Sequence, residues 1–255
     1  MSGNISQQVP CTERMVSPFP ETADIETSSD DYAQRFAGEV GAWFLRVQAD
    51  TTLRMLCLYP DARILDVGGG HGQLAPDLVQ HGYQVTVLGS DASCQKRIQE
   101  LIQHNLCAFK VGNVIDLPYA DQEFDVVVSY RLLPHVQQWR KCLAELARVA
   151  RQAVLIDYPA IRSVNYIAPL LFKLKKSVEG NTRPYTSFKE SELLTAFHHN
   201  NFRCAERFPE FFFPMVLHRM MKRQRWSAFL ENVCRVVGFT AILGSPVILR
   251  LTRFP

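Results

Sequence analysis

Five short runs recur between residues 62 and 157: ARILDV, YQVTVLGS, CAFKV, FDVVVS and AVLID. Each is largely apolar along its whole length, and alternation of apolar with polar positions is weak. Runs of that kind read as strands buried on both faces, so the pattern predicts a parallel sheet covered by helices on its two sides. Three of the intervening segments, LAPDLVQH closed by Gly82, SCQKRIQELIQH, and VQQWRKCLAELARVA, supply the helical spacing. In the last of these, Trp139, Leu143, Leu146 and Val149 fall on one face. FRCAERF and PVILRLT, near the end of the chain, read as two more strands. The expected fold is therefore α/β and doubly wound, with a mostly parallel seven-stranded sheet and right-handed crossovers.

The flanks are organised differently. Apolar residues at helical spacing between Asp31 and Leu58 predict one or two N-terminal helices over residues 31–60, before a cofactor-binding core at 61–157. Residues 1–30 are expected to form a disordered leader. After the fifth strand the alternation lapses. The stretch to Asn200 contains apolar and basic YIAPLLFKLKK, the loop signal EGNTRP, and a helix start marked by Ser187 and Glu190 at capping-box spacing. An insertion this long predicts a helical cap, so residues 158–255 are expected to hold the cap and the rest of the sheet, and 31–255 to form a single domain. A chain of 255 residues with 47% hydrophobic content can bury a substantial core. The net charge of +3 does not by itself point to a nucleic-acid partner. Seven scattered cysteines without a CxxC pair predict reduced thiols, a cytoplasmic location and no metal site. No run reaches the length of a spanning helix, and no signal-peptide pattern opens the sequence.

The first strand ends in Asp66-x-Gly68-x-Gly70-x-Gly72, with Gly69 completing three consecutive glycines. A dinucleotide loop follows G-x-G-x-x-G, and the pattern fails from Gly68, where Gln73 takes the last place, and from Gly69, where His71 takes the second. A carboxylate directly before the glycines would repel a pyrophosphate and attract an ammonium group. A ligand joining an amino-acid ammonium to an adenosine suits that loop, and S-adenosylmethionine is such a ligand. Asp91, at the end of the second strand, has the position to accept both ribose hydroxyls, or to cap the helix that follows.

Asp66 to Gly72, Gly89-Ser90-Asp91-Ala92-Ser93, Gly112-Asn113 with Asp116-Leu117-Pro118-Tyr119, and Phe124 to Ser129 together resemble the class I S-adenosylmethionine-dependent methyltransferases, in the branch of quinone and small-molecule enzymes. The resemblance covers about residues 60 to 160 and implies a Rossmann-like fold with S-adenosyl-L-methionine as cofactor. It also implies roles. Asp66, Gly68, Gly69, Gly70 and Gly72 hold the methionine end, Asp91 the ribose and Ala92 the adenine face. Asn113 and Val114 lie at the adenine edge, Ser129 lines the pocket, and Tyr32 and Arg35 belong to a segment that folds over the cofactor. Asn113 departs from the usual aspartate, although its carbonyl oxygen can accept the same hydrogen bond.

Tyr130, Arg131 and His135 follow the fourth strand, where this fold brings groups near the transferring methyl. His135 suits a general base at neutral pH, and suits a packing or capping role equally; Tyr130 and Arg131 divide in the same way between pocket and core. His71 is read as a spacer. Nucleic-acid amino-methyltransferases carry an Asn/Asp-Pro-Pro-aromatic element at the position occupied here by Ser-Tyr-Arg-Leu, so no nucleic-acid acceptor is expected. Apolar Tyr166 to Phe172 and Phe211 to Met221, flanked by lysines and arginines, fit a cap over a small hydrophobic acceptor. They also fit a basic late segment resting on a membrane surface to reach a lipid or quinone-like acceptor, or an ordinary amphipathic core. O-, N- and C-methylation all remain open, as does a non-catalytic regulatory protein that binds the same cofactor.

Overall fold

The computed structural model describes residues 18–164 and 185–254. Helices α1 (Ala23–Thr27), α2 (Asp30–Gln34) and α3 (Gly38–Leu56) precede strand β1 (Arg63–Val67). There follow α4 (Ala75–Gln80), β2 (Gln84–Gly89), α5 (Gln99–Gln103), β3 (Cys107–Val111), β4 (Phe124–Ser129), α6 (Trp139–Val149) and β5 (Ala150–Tyr158). Further along the chain lie α7 (Glu190–His198), β6 (Phe202–Pro209), α8 (Met215–Met221), α9 (Gln224–Val236), α10 (Phe239–Leu243) and β7 (Val247–Arg253). The sheet has seven strands in the order β3-β2-β1-β4-β5-β7-β6. The pairs β3-β2, β2-β1, β1-β4 and β4-β5 are parallel, and β7 runs antiparallel to both β5 and β6. The expected mostly parallel, doubly wound architecture is present. The order turns at β1, with β2 on one side and β4 on the other, which opens a crevice at the carboxyl ends of these strands.

The strands divide their side chains between two cores. Leu65, Val127, Val154 and Leu249 face α6 and α7, and together with Phe197 and Phe202 they form one cluster. Ile64, Val126, Leu155 and Ile248 face the opposite layer, where Met55, Leu56 and Leu78 complete the other. This two-period distribution is why the central strands are largely apolar: most of their positions are buried under one helical layer or the other. A smaller cluster of Val40, Phe44 and Phe211 joins α3 to the start of α8. Beside it the buried Glu231 accepts from the backbone N–H groups of Phe212 and Phe213 at 2.8 and 2.9 Å and lies 2.8 Å from His218 Nε2, fixing α9 to that corner.

Three expectations need correction. The leader does not extend to residue 30, because α1 lies within it and buries Ala23, Asp24 and Thr27 against the sheet's carboxyl end; residues 1–17 lie outside those described. The two helices expected before the first strand are present as α2 and α3. The helix placed on SCQKRIQELIQH begins as a 3₁₀ turn over Ala92–Ile98 before α5. The helix expected from Ser187 begins at Glu190 with Lys189 at its N-cap and no capping side chain, since Phe188 first pairs with the chain beyond β5 through Phe188 N–H to Pro159 O at 2.9 Å. The apolar and basic YIAPLLFKLKK segment lies outside the described residues.

Candidate active site

Strand β1 delivers Asp66 and Val67 and then reverses through the glycines. Gly68 has φ +79° and Gly72 φ +65°, the left-handed region that only glycine enters freely, and Gly69–His71 forms a 3₁₀ turn between them. A Cβ on Gly69 would collide with the Asp66 carboxylate, and one on Gly70 with the Cys94 carbonyl and Ser28 Oγ. Each glycine is thus required by a close approach, and the loop wraps its own aspartate.

Asp66 is 1% exposed, and neither carboxylate oxygen has a hydrogen-bond partner. Desolvation pushes its pKa up to about 7. His71 is buried on the same turn and held neutral, its pKa pushed down to about 3 by burial and then by the Arg131 and Arg97 charges. It takes part in the turn by accepting from Gln73 N–H at 3.2 Å through Nδ1.

At the end of β2, Asp91 Oδ1 accepts from Ser93 N–H at 2.8 Å, and hydrogen bonding from the Ser93 side chain, then from this N–H, lowers its pKa. Ala92 is exposed beside it. Asn113 Oδ1 accepts from Ile115 N–H at 3.2 Å, Val114 is fully buried, and Ser129 Oγ donates to Val67 O at 3.0 Å. These residues, with the glycine loop, gather at the carboxyl ends of β1, β2, β3 and β4. One further member carries no local signal. Asp24 of α1 accepts from Ser90 N–H at 2.6 Å and from Ser90 Oγ at 2.5 Å, which draws residues 21–28 across the glycine loop. Glu21 anchors the other end of that cover by accepting from Gln138 N–H at 2.9 Å.

A cavity of about 190 Å³ opens beyond β4 and β5, with Phe36, Phe44, Phe211, Met215 and Val216 among its apolar walls. Tyr32, Arg131 and His135 line it as well. Arg131 is held in the left-handed region at φ +61°. Its N–H donates to Asp157 Oδ1 at 2.6 Å, its Nη2 donates to Gln48 Oε1 at 2.7 Å, and its guanidinium lies 4.3 Å from the Phe36 ring centroid. Gln48 Nε2 in turn donates to Asp157 Oδ2 at 3.3 Å. Glu210, which follows β6, completes this polar floor; it is 4% exposed, and burial followed by the Asp157 charge pushes its pKa up to about 8. Gln48 and Glu210 escaped sequence reasoning because nothing local distinguishes a glutamine inside a long helix or a glutamate after an edge strand.

Tyr130 does not reach this cavity. It is 1% exposed in the core beneath α3, with its hydroxyl 2.9 Å from Thr52 Oγ1, so the expectation of a catalytic tyrosine there is corrected. Tyr32 stands in the cavity wall and carries the Arg35 guanidinium at 5.1 Å from its ring centroid. His135 meets the Tyr185 ring at 5.6 Å.

Residues 65–156 match the family model for a methyltransferase domain. The glycine/sarcosine/dimethylglycine N-methyltransferase of Actinopolyspora halophila is 30% identical over 59% of this chain and 26% of its own length. A demethylmenaquinone methyltransferase of Deinococcus radiodurans is 30% identical over 51% of this chain and 60% of its own. The chain therefore spans about a quarter to three fifths of these relatives. Among solved structures, the magnesium protoporphyrin IX methyltransferase of Synechocystis, determined with S-adenosylhomocysteine bound, superposes with a TM-score of 0.62 at 15% identity, over 88% of this chain and 94% of that one. The fold is that of the Rossmann-like methyltransferases. With the family match on its core, residues 65–156 are those of a methyltransferase domain.

Proposed function

We propose that this protein binds S-adenosylmethionine in the glycine cradle and transfers its methyl group to a small, largely apolar acceptor in the adjoining cavity. The observation that carries the reading is Asp66: a buried carboxylate with two unpartnered oxygens, wrapped by glycines, is satisfied by a cation and by little else. The cofactor supplies an electrophilic methyl on a sulfonium. The chain supplies position. Asp66 holds the ammonium, Asp91 accepts from ribose hydroxyls at the rim, and Asn113 with Val114 bounds the adenine. Residues 21–28, tied down through Asp24, cover the loop and keep water from it. The cavity walls then set the acceptor's approach, which is most of what an in-line displacement requires. His135, on the cavity wall, is the candidate base for acceptors that must lose a proton.

S-Adenosylhomocysteine is expected to raise the melting temperature and NAD to leave it unchanged; the reverse result overturns the cofactor reading. Incubation with labelled methyl donor and fractionated metabolite and lipid extracts is expected to label one small-molecule fraction. Cofactor binding with no labelled product in any fraction would instead identify a non-catalytic regulatory protein.

A second reading, delivery of the acceptor from a lipid surface, has its own support. Trp226, Phe229, Val233 and Val236 are exposed along one face of α9, and Phe239 and Ile242 continue it on α10. Lys222, Arg223 and Arg225 are exposed at its start, while Glu231, the acid of that helix, is buried. An apolar face with aromatic residues and a basic end suits an anionic lipid interface. The cavity wall formed by Met215 and Val216 belongs to α8, directly before this face. Among the described residues no helix is long and apolar enough to cross a membrane. Co-sedimentation with phosphatidylglycerol vesicles, reduced by Trp226→Ser with Phe229→Ser and by high salt, is the expected result; no sedimentation at low salt contradicts it.

A further inference from the structure

The cavity beside the glycine cradle mixes apolar walls with polar residues, Arg219, His135 and Tyr185 among them, and its floor holds two polar atoms with nothing to bind. Glu210 Oε1 and Arg131 Nη1 both lack a hydrogen-bond partner, and both residues line the cavity. Glu210 is 4% exposed, so water does not solvate its carboxyl freely. Their polar neighbours Asp157 and Gln48 are engaged. Asp157 is committed to Arg131 N–H and Gln48 Nε2, and Gln48 Oε1 to Arg131 Nη2. On the far side, Arg235 donates to the backbone carbonyl of Glu210 at 2.7 Å and so braces the residue through its main chain. The Glu210 N–H is likewise used, donating to Pro246 O at 2.8 Å.

We infer that Glu210 and Arg131 form a polar hook for the acceptor, and that the acceptor is an apolar molecule bearing a hydroxyl group, alcoholic or phenolic, that enters the cavity hydroxyl first. A hydroxyl satisfies both orphan atoms at once, donating to the Glu210 carboxyl oxygen and accepting from the Arg131 guanidinium. A methyl group in the same place leaves both unsatisfied, and such a mismatch is what allows a buried site to discriminate strongly. A carboxylate is disfavoured at this floor, because it has no hydrogen to donate to the Glu210 oxygen and would lie against the buried Asp157 and Glu210 carboxyls. The hook lies near Tyr32 and His135 on the same cavity wall, so it bears on which acceptor is held there and in what orientation.

This inference rests on the cavity being the acceptor site, and its test separates the two. p-Cresol and p-xylene are near-isosteric and differ by hydroxyl against methyl, with xylene the more readily driven from water. In ligand-observed NMR titrations of the full chain, p-cresol is expected to bind at least about 5-fold more tightly, the equivalent of one net hydrogen bond. 4-Methylbenzoate is expected to bind more weakly than either. Glu210→Leu is expected to reverse the preference toward p-xylene, and Glu210→Gln, which keeps a donor and an acceptor, to retain it in part. Equal or tighter binding of p-xylene to the unaltered protein overturns the proposal, as does a preference unchanged in Glu210→Leu or failure of both probes to bind. Stabilisation by S-adenosylhomocysteine is recorded on the same samples. If it persists in Glu210→Leu while the hook fails, the hook alone is wrong; if it is absent from the unaltered protein, the cofactor reading has failed.

Discussion

The glycine cradle and the neighbouring cavity both lie at the carboxyl ends of the strands, yet they are built in opposite ways. The core of the cradle is one contiguous piece of chain, Asp66 to Gly72, whose shape follows from a strand end and two left-handed glycines. The cavity is assembled from positions as far apart as Tyr32, Gln48, Arg131, Asp157 and Glu210. A loop that must admit a ligand to its backbone advertises itself through glycine. A cavity made by long-range packing has no local signature, because each contributor is an ordinary residue until the fold places it.

The contrast gives graded predictions. The largest effect is expected in the cradle: Gly69→Val drives a branched side chain into the Asp66 carboxylate, a clash costing about 1–3 kcal/mol or more. S-Adenosylhomocysteine affinity measured by calorimetry is expected to fall by roughly 100-fold. A fall below fivefold breaks the claim that the cradle is tight.

Asp66→Asn is next and has two signs. It removes a desolvated carboxylate, so thermal stability of the ligand-free protein is expected to rise at pH 8. It also removes the cation's partner, so affinity for S-adenosylhomocysteine is expected to drop by about 10-fold or more. A stability loss with unchanged affinity would make Asp66 a structural residue.

The pH dependence joins the two regions. Asp66, raised to about 7, and Glu210, raised to about 8, keep protons in the folded chain at pH values where the unfolded chain has lost them. Stability therefore falls as pH rises through that window. His71, lowered to about 3, acts oppositely, but its contribution is complete once pH exceeds the unfolded value of 6.5. From pH 6.5 to 8 the carboxyls remain, and the melting temperature is expected to drop by roughly 2–6 °C. A rise over that interval contradicts the burial described for both groups.

The smallest effect is expected at the adenine edge. Asn113→Asp restores a carboxylate whose second oxygen is free while the first still accepts from Ile115 N–H, and it should strengthen adenosyl binding by about 5-fold at most. A larger gain would show that the Asn113 amide obstructs the site.

The same contrast explains what the sequence disclosed. The strand runs and the carboxylate-glycine loop are local patterns, and β1 to β5 appear where apolar runs lie. Residues 18–30 looked like a polar leader because Asp24, Ser28 and Glu21 are polar; their partners, Ser90 and Gln138, are distant, and Ser28 bonds back to the Asp24 carbonyl. Tyr130 looked available for chemistry because it follows the Ser129 strand end, but the alternation of β4 continues through it and turns it toward Thr52. Glu210 is invisible in sequence for a related reason: its burial is created by α3, β5 and α9, none of which adjoins it.

The most direct test of the central claim is calorimetric titration of S-adenosylhomocysteine at pH 7 in buffers of different ionisation enthalpy. If its ammonium sits against Asp66, a carboxyl that is about half protonated beforehand must ionise, and binding is expected to be saturable and to release about half a proton. Absence of saturable binding, or binding with no proton released to the buffer, would contradict the account.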